Sequence, residues 1–418
     1  MLSLAEARGR ILQEARPSEA IEVALSEALG LVLAEPLTAD VDLPPFDRAS
    51  VDGYAVRAAD AEAGARLSAV GRRGGGGAES KNRGPKPGAI TLGPGEAAHV
   101  ATGDPLPVGA DAVLRTEDSR PDPGVGPPRE VFALRGVSAG QGVVSRGFYL
   151  NAGGLIAPAG TRLRLPMVSL LAAQGCIHPV CHRRVRVAVL AVGDHLVGAG
   201  EAPVMDRERN AAGPTVVLPC LQRGATAHDL GTVSRRDLTA ALARALTASV
   251  VVVLGEFEGA IPRALKASGV EPIFSGVSLH PGKRVGYGVV RDDSGAAAHH
   301  VFHMSPGPVG VLTVVTLLIG PLIERLHGGP LDALRPLRAL WQGAPHRPTD
   351  DRDWAVPVTL SCGDDARLFA TPISHRGKDD LPGYSHADAL ALLPPRSGPW
   401  ESGAPVAVVP LGPWPANG

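Results

Sequence analysis

Two runs of consecutive apolar residues in the middle of the chain constrain its fold more than any other feature. They are "VRVAVLAVGD" at 185–194 and "SVVVVLG" at 249–255. Short, continuous runs rich in valine are typical of strands that are buried on both faces of a parallel sheet. Helical patterns near 213–223 and 237–247, with a short strand pattern at 225–231, separate the two runs. This β-α-β-α-β order predicts a parallel sheet covered by helices.

The ends of these two strands predict where a ligand binds. Ligands on open parallel sheets bind beyond the carboxyl ends of the strands. Those ends are Gly193-Asp194-His195 and Gly255-Glu256. Because acids at the end of a buried parallel strand tend to be functional, we interpret Asp194 as a site residue.

The rest of the chain alternates between helical and short strand patterns. Ser3 followed by Glu6 predicts a capping box that opens a helix over 4–15. Short strand patterns between Gly and Pro turns fill 60–138 and 350–418, and the second of these predicts a small all-β C-terminal domain. Three further helices are predicted, at 18–30, 165–175 and 309–326.

The bulk composition argues against some classes of partner. The formal net charge is −1, from 41 basic and 42 acidic side chains, which argues against a broad nucleic-acid surface. The first residues carry charges throughout and lack the apolar run of a signal peptide. The apolar stretch at 309–323 is too short and too interrupted to predict a membrane span. We therefore expect a soluble cytoplasmic protein without nucleic-acid or membrane partners.

An unusual loop, "LPPFDRASVDGYAVR", occupies residues 43–57. Its prolines pre-set the backbone, and Gly53 allows a sharp bend or a close approach by a ligand. The pattern predicts an ordered loop that leads into a strand and carries Asp47 and Asp52. From these residues alone, both a rigid connector and a functional loop remain open. The Gly-rich run at 71–88 is not followed by a helix, so it predicts a hairpin tip or a disordered segment rather than a phosphate loop.

Five blocks, in order, resemble one protein family. Residues 43–57 resemble the P-P-F-D-N-S-A-M-D-G-Y-A signature of the molybdopterin molybdotransferases, the MoeA and gephyrin E-domain family. The other blocks that resemble this family are "ATGDPLPVGADAVLRTED" at 101–118, "RVRVAVLAVGDHL" at 184–196, "PGKR" at 281–284 and "HADALALLP" at 386–394.

The resemblance implies a fold. It implies a multidomain α+β and α/β protein, an elongated MoeA-like chain that forms a homodimer. Domain I would be discontinuous, from 1–50 and 139–182, with a β-rich domain II inserted at 51–138. Domain III, at 183–330, would hold the parallel sheet and bind molybdopterin, and domain IV, at 331–418, would be a β-barrel.

The resemblance also implies a reaction. Family members insert molybdate into adenylylated molybdopterin and release AMP, with Mg²⁺ assisting. Because both substrates are anionic, such a site needs backbone N–H donors, cationic side chains or Mg²⁺. Asp52 matches the family's essential acid and is the catalytic candidate, and Asp52 with Asp194 are candidate metal ligands for Mg²⁺ or molybdate.

Further candidates for binding the substrate come from the same blocks. Thr102 offers a hydroxyl and Gly103 a close backbone approach, although an ordinary turn would also explain this pair. Pro281, Gly282 and Lys283 match the family's P-G-K, and Lys283 could hold a phosphate as a point charge. A lysine at a strand edge remains the alternative.

Several positions depart from the family pattern at the metal and pterin site. The replacements are Phe148-Tyr149 for Glu-Asp, His195 for Glu, Ala211-Ala212 for Ser-Asn, Arg235 for an acid, "LGEFEGAIPRA" at 254–264 for a Gly-rich loop, and "MSPGP" at 304–308 for L-P-G-N-P. Glu256 and Glu258 would repel an anion where the Gly-rich loop binds one. Two hypotheses follow. The protein is a molybdotransferase with an altered pocket, or a catalytically impaired paralogue that binds a pterin, a nucleotide or a protein.

Two segments that contain histidines are expected to have structural rather than functional roles. "GCIHPVCHRR" at 175–184 has imaginable zinc-ligand spacing but no second cluster to complete a tetrahedral site, so we expect a helix end that runs into a strand. His299, His300 and His303 fall in a β-hairpin pattern, where we expect surface and core positions.

Overall fold

A computed structural model describes residues 1–72, 90–122, 129–330, 334, 336–377 and 380–412. The Gly-rich run predicted as a hairpin tip or disordered segment lies outside these residues from position 73 onward. The chain divides into two compact units. The large unit comprises Met1–Glu35, Ala159–Ser169 and Ile177–Gly418, and the small unit comprises Pro36–Pro158 and Leu170–Cys176. The predicted division into four domains is finer than these two units and stays a prediction.

Eight α-helical segments occur in the described part of the chain. They are α1 Leu4–Glu14, α2 Leu165–Ala173, α3 Ala212–Gln222, α4 Leu238–Ala245, α5 Ala260–Ala267, α6 Pro308–Val314, α7 Gly320–Leu326 and α8 Leu381–Tyr384. The predicted helices at 4–15, 165–175, 213–223, 237–247 and 309–326 are confirmed. The capping box is also confirmed, because Glu6 N donates to Ser3 Oγ and Ser3 N donates to Glu6 Oε2.

The helix predicted at 18–30 is wrong. This segment forms a strand, Ala20–Glu22, and a single 3-10 turn, Leu25–Glu27. Its backbone groups form hydrogen bonds with residues far along the chain: Ile21 pairs with Cys181, and Leu25 N donates to the carbonyl of Ile177. Long-range pairing therefore overrides the local helical pattern.

The described part of the chain contains 26 strands, of two to ten residues. In chain order they are β1 Ala20–Glu22, β2 Leu37–Thr38, β3 Arg48–Ala49, β4 Gly53–Val56, β5 Arg66–Arg72, β6 Glu96–Val100, β7 Ala112–Arg115, β8 Ser119–Pro121, β9 Glu130–Ala133, β10 Val143–Val144, β11 Leu155–Ala157, β12 Val180–His182, β13 Arg186–Val192, β14 Leu196–Val197, β15 Glu208–Arg209, β16 Thr226–Val233, β17 Val250–Leu254, β18 Glu271–Ser275, β19 Leu279–His280, β20 Val285–Arg291, β21 Ala297–Met304, β22 Leu337–Trp341, β23 Asp353–Cys362, β24 Leu368–Pro372, β25 Ala389–Leu393 and β26 Pro405–Pro410.

The large unit is built around a six-stranded sheet with the order β16-β13-β17-β21-β20-β18. β16, β13, β17 and β21 are parallel neighbours, and β20 runs antiparallel to both β21 and β18. Side chains alternate between the two faces, as strand geometry requires. Val251 and Val253 pack with α4 and α5, whereas Val250 and Val252 pack with α1, α3, α6 and α7. The predicted parallel sheet covered by helices is confirmed.

One helical stretch of the described residues, Pro308–Leu326, is both long and apolar. It consists of α6, a π-helical segment at Val315–Ile319, and α7. Its length and composition would suffice to cross a membrane, but 78% of its most apolar window is buried inside the protein. Because this helix covers one face of the central sheet, its apolar character is explained by the core.

The C-terminal part of the large unit is a closed β-barrel. Its strands pair in the order β23-β24-β22-β26-β25, and pairing of β25 with β23 closes the ring. Trp341 is fully buried with Val358 and Val408, and its Nε1 donates to the carbonyl of Ala344 at 3.1 Å. The predicted C-terminal barrel is confirmed.

The small unit is built around a second six-stranded sheet, ordered β7-β4-β6-β5-β9-β8. Its strand β4 lies between β6 and β7 and is antiparallel to both. Asp52 directly precedes β4, and Thr102 follows β6 by two residues. The sheet therefore fixes the positions of two predicted site residues.

Candidate functional site

A cleft of about 1200 Å³ opens in the large unit beyond the carboxyl ends of three parallel strands. Asp194 follows β13, Glu256 follows β17, and Ser305 follows β21, and all three residues line the cleft. The turn from β19 to β20 closes another side with the residues His280–Arg284. The cleft therefore lies at the sheet edge that the sequence predicts.

Four of the predicted site residues meet in this cleft. Asp194, Pro281, Gly282 and Lys283 all line it. Gly282 has φ +116°, a conformation that side chains rarely adopt, and an added Cβ would lie 3.1 Å from a methyl of Val314. Glycine therefore allows the β19–β20 turn to lie close against α6.

The cleft carries cations that are not neutralised within the protein. Among the residues that the structure describes, neither Lys283 nor Arg284 makes an ion pair or a side-chain hydrogen bond, and both are exposed. By contrast, the Arg352 Nε donates to Asp350 Oδ2 at 2.7 Å. Arg284, which stands where the family pattern has proline, was missed as a candidate although it follows Lys283 directly. Two adjacent unpaired cations favour an anionic ligand.

The loop between β17 and α5 was expected to repel an anion through Glu256 and Glu258, but one of these carboxylates is paired. Arg235 NH2 lies 3.0 Å from Glu256 Oε2, so the cation that replaces a family acid offsets one of the two new carboxylates. Glu258 makes no ion pair within the described residues. Gly259 precedes α5 with φ +94° and gives this helix no side-chain cap, which leaves backbone N–H groups at its first turn available. This loop presents both signs of charge.

The remaining predicted site residues meet in the small unit. The backbone N and the Oγ1 of Thr102 both donate to Asp52 Oδ1, at 2.7 and 2.9 Å. Both bonds lower the pKa of Asp52 below its usual value, and the bond from the Thr102 backbone N has the larger effect. Oδ2 of Asp52 accepts no hydrogen bond from the described residues, and Gly103 has φ +91° at the adjoining turn. Asp52 is therefore an oriented, ionised carboxylate with one oxygen available.

The replaced family positions have visible structural roles. Asn210 is 4% exposed, and its Oδ1 accepts from Gly213 N at 2.9 Å, so an amide remains near Ala211-Ala212 but serves the start of α3. Phe148 and Tyr149 are exposed in the small unit and form an edge-to-face pair with centroids 5.1 Å apart. Neither aromatic ring can replace a carboxylate as a metal ligand.

The carboxylates of the described residues do not form a resident metal centre. No group of three or more His, Cys, Asp or Glu side chains among them has the geometry to hold a metal ion. Mg²⁺ is commonly held by one or two carboxylates together with substrate phosphates, so single acids such as Asp194 remain compatible with a substrate-borne ion. The zinc interpretation of 175–184 gains no support from these residues.

The fold and the cleft define a multidomain α/β protein with a large cleft beyond the strands of a parallel sheet and a C-terminal β-barrel. Residues 2–175 match the family model described as the MoeA N-terminal region, domains I and II. Molybdopterin molybdenumtransferase 1 of Mycobacterium tuberculosis is 31% identical over 357 residues, 78% of each chain. Molybdopterin molybdenumtransferase of Bacillus subtilis is 26% identical over 97% of this chain and 93% of its own.

Solved structures give the same result. A molybdopterin biosynthesis MoeA protein from Pyrococcus horikoshii superposes with a TM-score of 0.82 at 27% identity, covering 99% of this chain and all of that one. The chain belongs to the molybdopterin molybdenumtransferase (MoeA) family.

Proposed function

We propose that this protein inserts molybdate into adenylylated molybdopterin and releases AMP. Membership in the family supports a role in molybdenum cofactor biosynthesis. The observation that carries the finer proposal is the pair of unpaired cations, Lys283 and Arg284, at a cleft large enough for a nucleotide-sized ligand. The resemblance further implies a homodimer in the cytoplasm, and both are part of the proposal.

The cleft would hold the substrates by their negative charge. Molybdate and a pyrophosphate are both anions, and Lys283 with Arg284 can bind them as charge-assisted hydrogen-bond donors. The N–H groups at the first turn of α5 add backbone donors, and the positive end of the helix dipole favours the same charge. Pro281 and Gly282 hold the turn that presents the two cations.

Asp52 is the proposed catalytic residue. Its Oδ1 is fixed by Thr102, so its Oδ2 has a defined direction in which to accept a proton or a cation. Gly103 belongs to the turn that positions Thr102. For Mg²⁺, the proposal keeps Asp52 and Asp194 as carboxylates for an ion that arrives on substrate phosphates, and no step is assigned to the ion.

Asp52→Asn is expected to lower turnover by about 100-fold or more, the usual effect of removing an acid–base group. Asparagine keeps an oxygen for the two Thr102 donors but removes the charge, so folding should be preserved. Asp40→Asn is the matched control, because Asp40 is an exposed acid of the small unit whose carboxylate has no hydrogen bond within the described residues. The measurement is AMP release from adenylylated molybdopterin in the presence of molybdate.

Equal turnover of Asp52→Asn and Asp40→Asn would contradict the role of Asp52. A wild-type protein that binds the substrate but releases no AMP would contradict the proposed reaction and favour the impaired paralogue. Complementation of a strain that lacks its molybdotransferase gives an independent readout, with rescue expected from the wild type and from Asp40→Asn only.

A further inference from the structure

One aromatic side chain of the cleft has a role that the anion site does not explain. Phe257 lines the cleft, in the loop that replaces the family's Gly-rich segment, and is half-buried. The imidazole of His303 stacks against its ring, with centroids 5.2 Å apart and planes inclined by 19°. The imidazole therefore covers one face of the phenyl ring, and Phe257 lines the cleft with His303 packed behind it.

The backing ring is itself held by the central sheet. His303 lies in β21, directly opposite Gly286 of β20. A Cβ at Gly286 would overlap the imidazole and lie 2.6 Å from its Nε2, so the absence of a side chain there makes room for the ring. Burial lowers the pKa of His303 to about 4, so this ring is uncharged at neutral pH. Phe257 thus rests on a rigid, neutral support.

We propose that the Phe257 ring, backed by His303, is the stacking surface for the planar nitrogen heteroaromatic ring of the ligand. This inference rests on the proposed function, whose substrate carries two such rings, a pterin and an adenine. Stacking of a heteroaromatic ring on an aromatic side chain contributes substantially to affinity and needs no particular hydrogen-bond pattern. Lys283 and Arg284 line the same cleft, so the anionic part of the ligand and its ring have separate sites there.

The proposal also gives a physical reason for the altered loop. Glycines let backbone N–H groups close on a phosphate, whereas a phenyl ring adds a flat apolar surface. Glu256, on one side of Phe257, is paired with Arg235, so this carboxylate is partly offset. Phe257 therefore adds contact with a ring, while the backbone donors for the anion lie at the first turn of α5.

The test compares ring-bearing probes with a ring-free anion. The probes are AMP, 2-amino-4-hydroxypteridine and inorganic pyrophosphate, with affinities from calorimetry and from quenching of pteridine fluorescence. Phe257→Leu should weaken binding of at least one ring-bearing probe by about 10-fold, as expected for lost stacking. Pyrophosphate binding should change less than about twofold, because its contacts are electrostatic. Phe257→Trp, which restores a flat ring, should retain the affinity of the wild type.

The control is Phe148→Leu, the same substitution at an exposed phenylalanine of the small unit. Weakened AMP alone identifies adenine as the stacked ring, and weakened pteridine alone identifies the pterin. The inference is overturned if the wild type binds neither ring-bearing probe, if Phe257→Leu leaves both affinities unchanged, or if it weakens pyrophosphate equally. If the wild type binds the ring-bearing probes but releases no AMP in the turnover assay, the proposed reaction is contradicted. The stacking surface is then still supported.

Discussion

Acidification is expected to destabilise this protein steeply between pH 6.5 and about 4. Two buried histidines and one partly buried histidine carry the effect, because burial lowers the pKa of His300, His327 and His303 to about 4 in the folded protein. The two other causes for His300 oppose each other, since Glu14 raises its pKa and His299 lowers it. For His327 the neighbouring Arg162, Arg184 and His182 add to the depression.

A hydrogen bond explains why one of these rings stays neutral, and burial in the sheet explains the other. Val185 N donates to His327 Nε2 at 2.9 Å, so this nitrogen must carry a lone pair rather than a proton. His300 Nδ1 lies 2.8 Å from the Tyr287 hydroxyl inside the central sheet. Protonation of either ring would place a charge in the core without a counter-charge in contact.

The direction and size of the change in the free energy of unfolding follow from proton linkage. Above pH 6.5 these histidines are neutral in both the folded and the unfolded chain, so they contribute no pH dependence. Below pH 6.5 the unfolded chain binds protons that the folded chain does not, and the free energy of unfolding falls until the folded groups titrate near pH 4. Each group can contribute about 3 kcal/mol. Three such groups together are comparable to the total stability of a typical domain, roughly 5–15 kcal/mol.

The measurement is the free energy of unfolding from urea titrations at several pH values between 7.5 and 4.5. His303→Gln should flatten this profile by the contribution of one group, whereas His386→Gln, at an exposed histidine, should leave it unchanged. An unfolding free energy that stays constant over this range, or equal flattening by both variants, would contradict the assignment.

The sequence predicts the central sheet because its signal is local. Five consecutive apolar residues, Val250–Leu254, are all fully buried, and each face of the sheet takes alternate members. The helix expected at 18–30 fails for the opposite reason, because the partner strand of β1 lies at Val180–His182. Helix α5 was not predicted, although Pro262 in its first turn is compatible with a helix start.

The part of the candidate site that lies at the strand ends could be predicted, because the carboxyl ends of neighbouring parallel strands lie at the same edge of a sheet. Asp194 and Lys283 follow from a strand end and a family motif, and both line the cleft. The pairing of Arg235 with Glu256 was not predictable, because the loops that carry them meet only in the folded sheet. Likewise, the resemblance singles out Asp52 and Thr102 separately, and only the structure shows that one hydrogen-bonds the other.

Gly53→Ala is expected to destabilise the small unit by roughly 3 kcal/mol or more, as an overpacked core does. Gly53 is buried in β4 and pairs with Val100 on one side and Arg115 on the other. An added Cβ would overlap the carbonyl oxygen of Leu114 and lie 3.0 Å from the Cα of Arg115. Because both obstacles are backbone atoms, no rotamer change can relieve the overlap, and β4 and β7 must move apart.

Gly9→Ala is the matched control, because a Cβ at Gly9 would meet nothing within 4 Å and its helix should gain stability of about 0.5–1 kcal/mol. Thermal and urea unfolding of the two variants should therefore change in opposite directions. Equal stability of Gly53→Ala and the wild type would show that the two strands can separate without cost. The comparison with Asp52→Asn is also informative. Asp52→Asn should lower turnover by about 100-fold or more in a protein that remains folded. Gly53→Ala should instead first appear as early unfolding, and this difference separates the chemistry of the carboxylate from the strand that positions it.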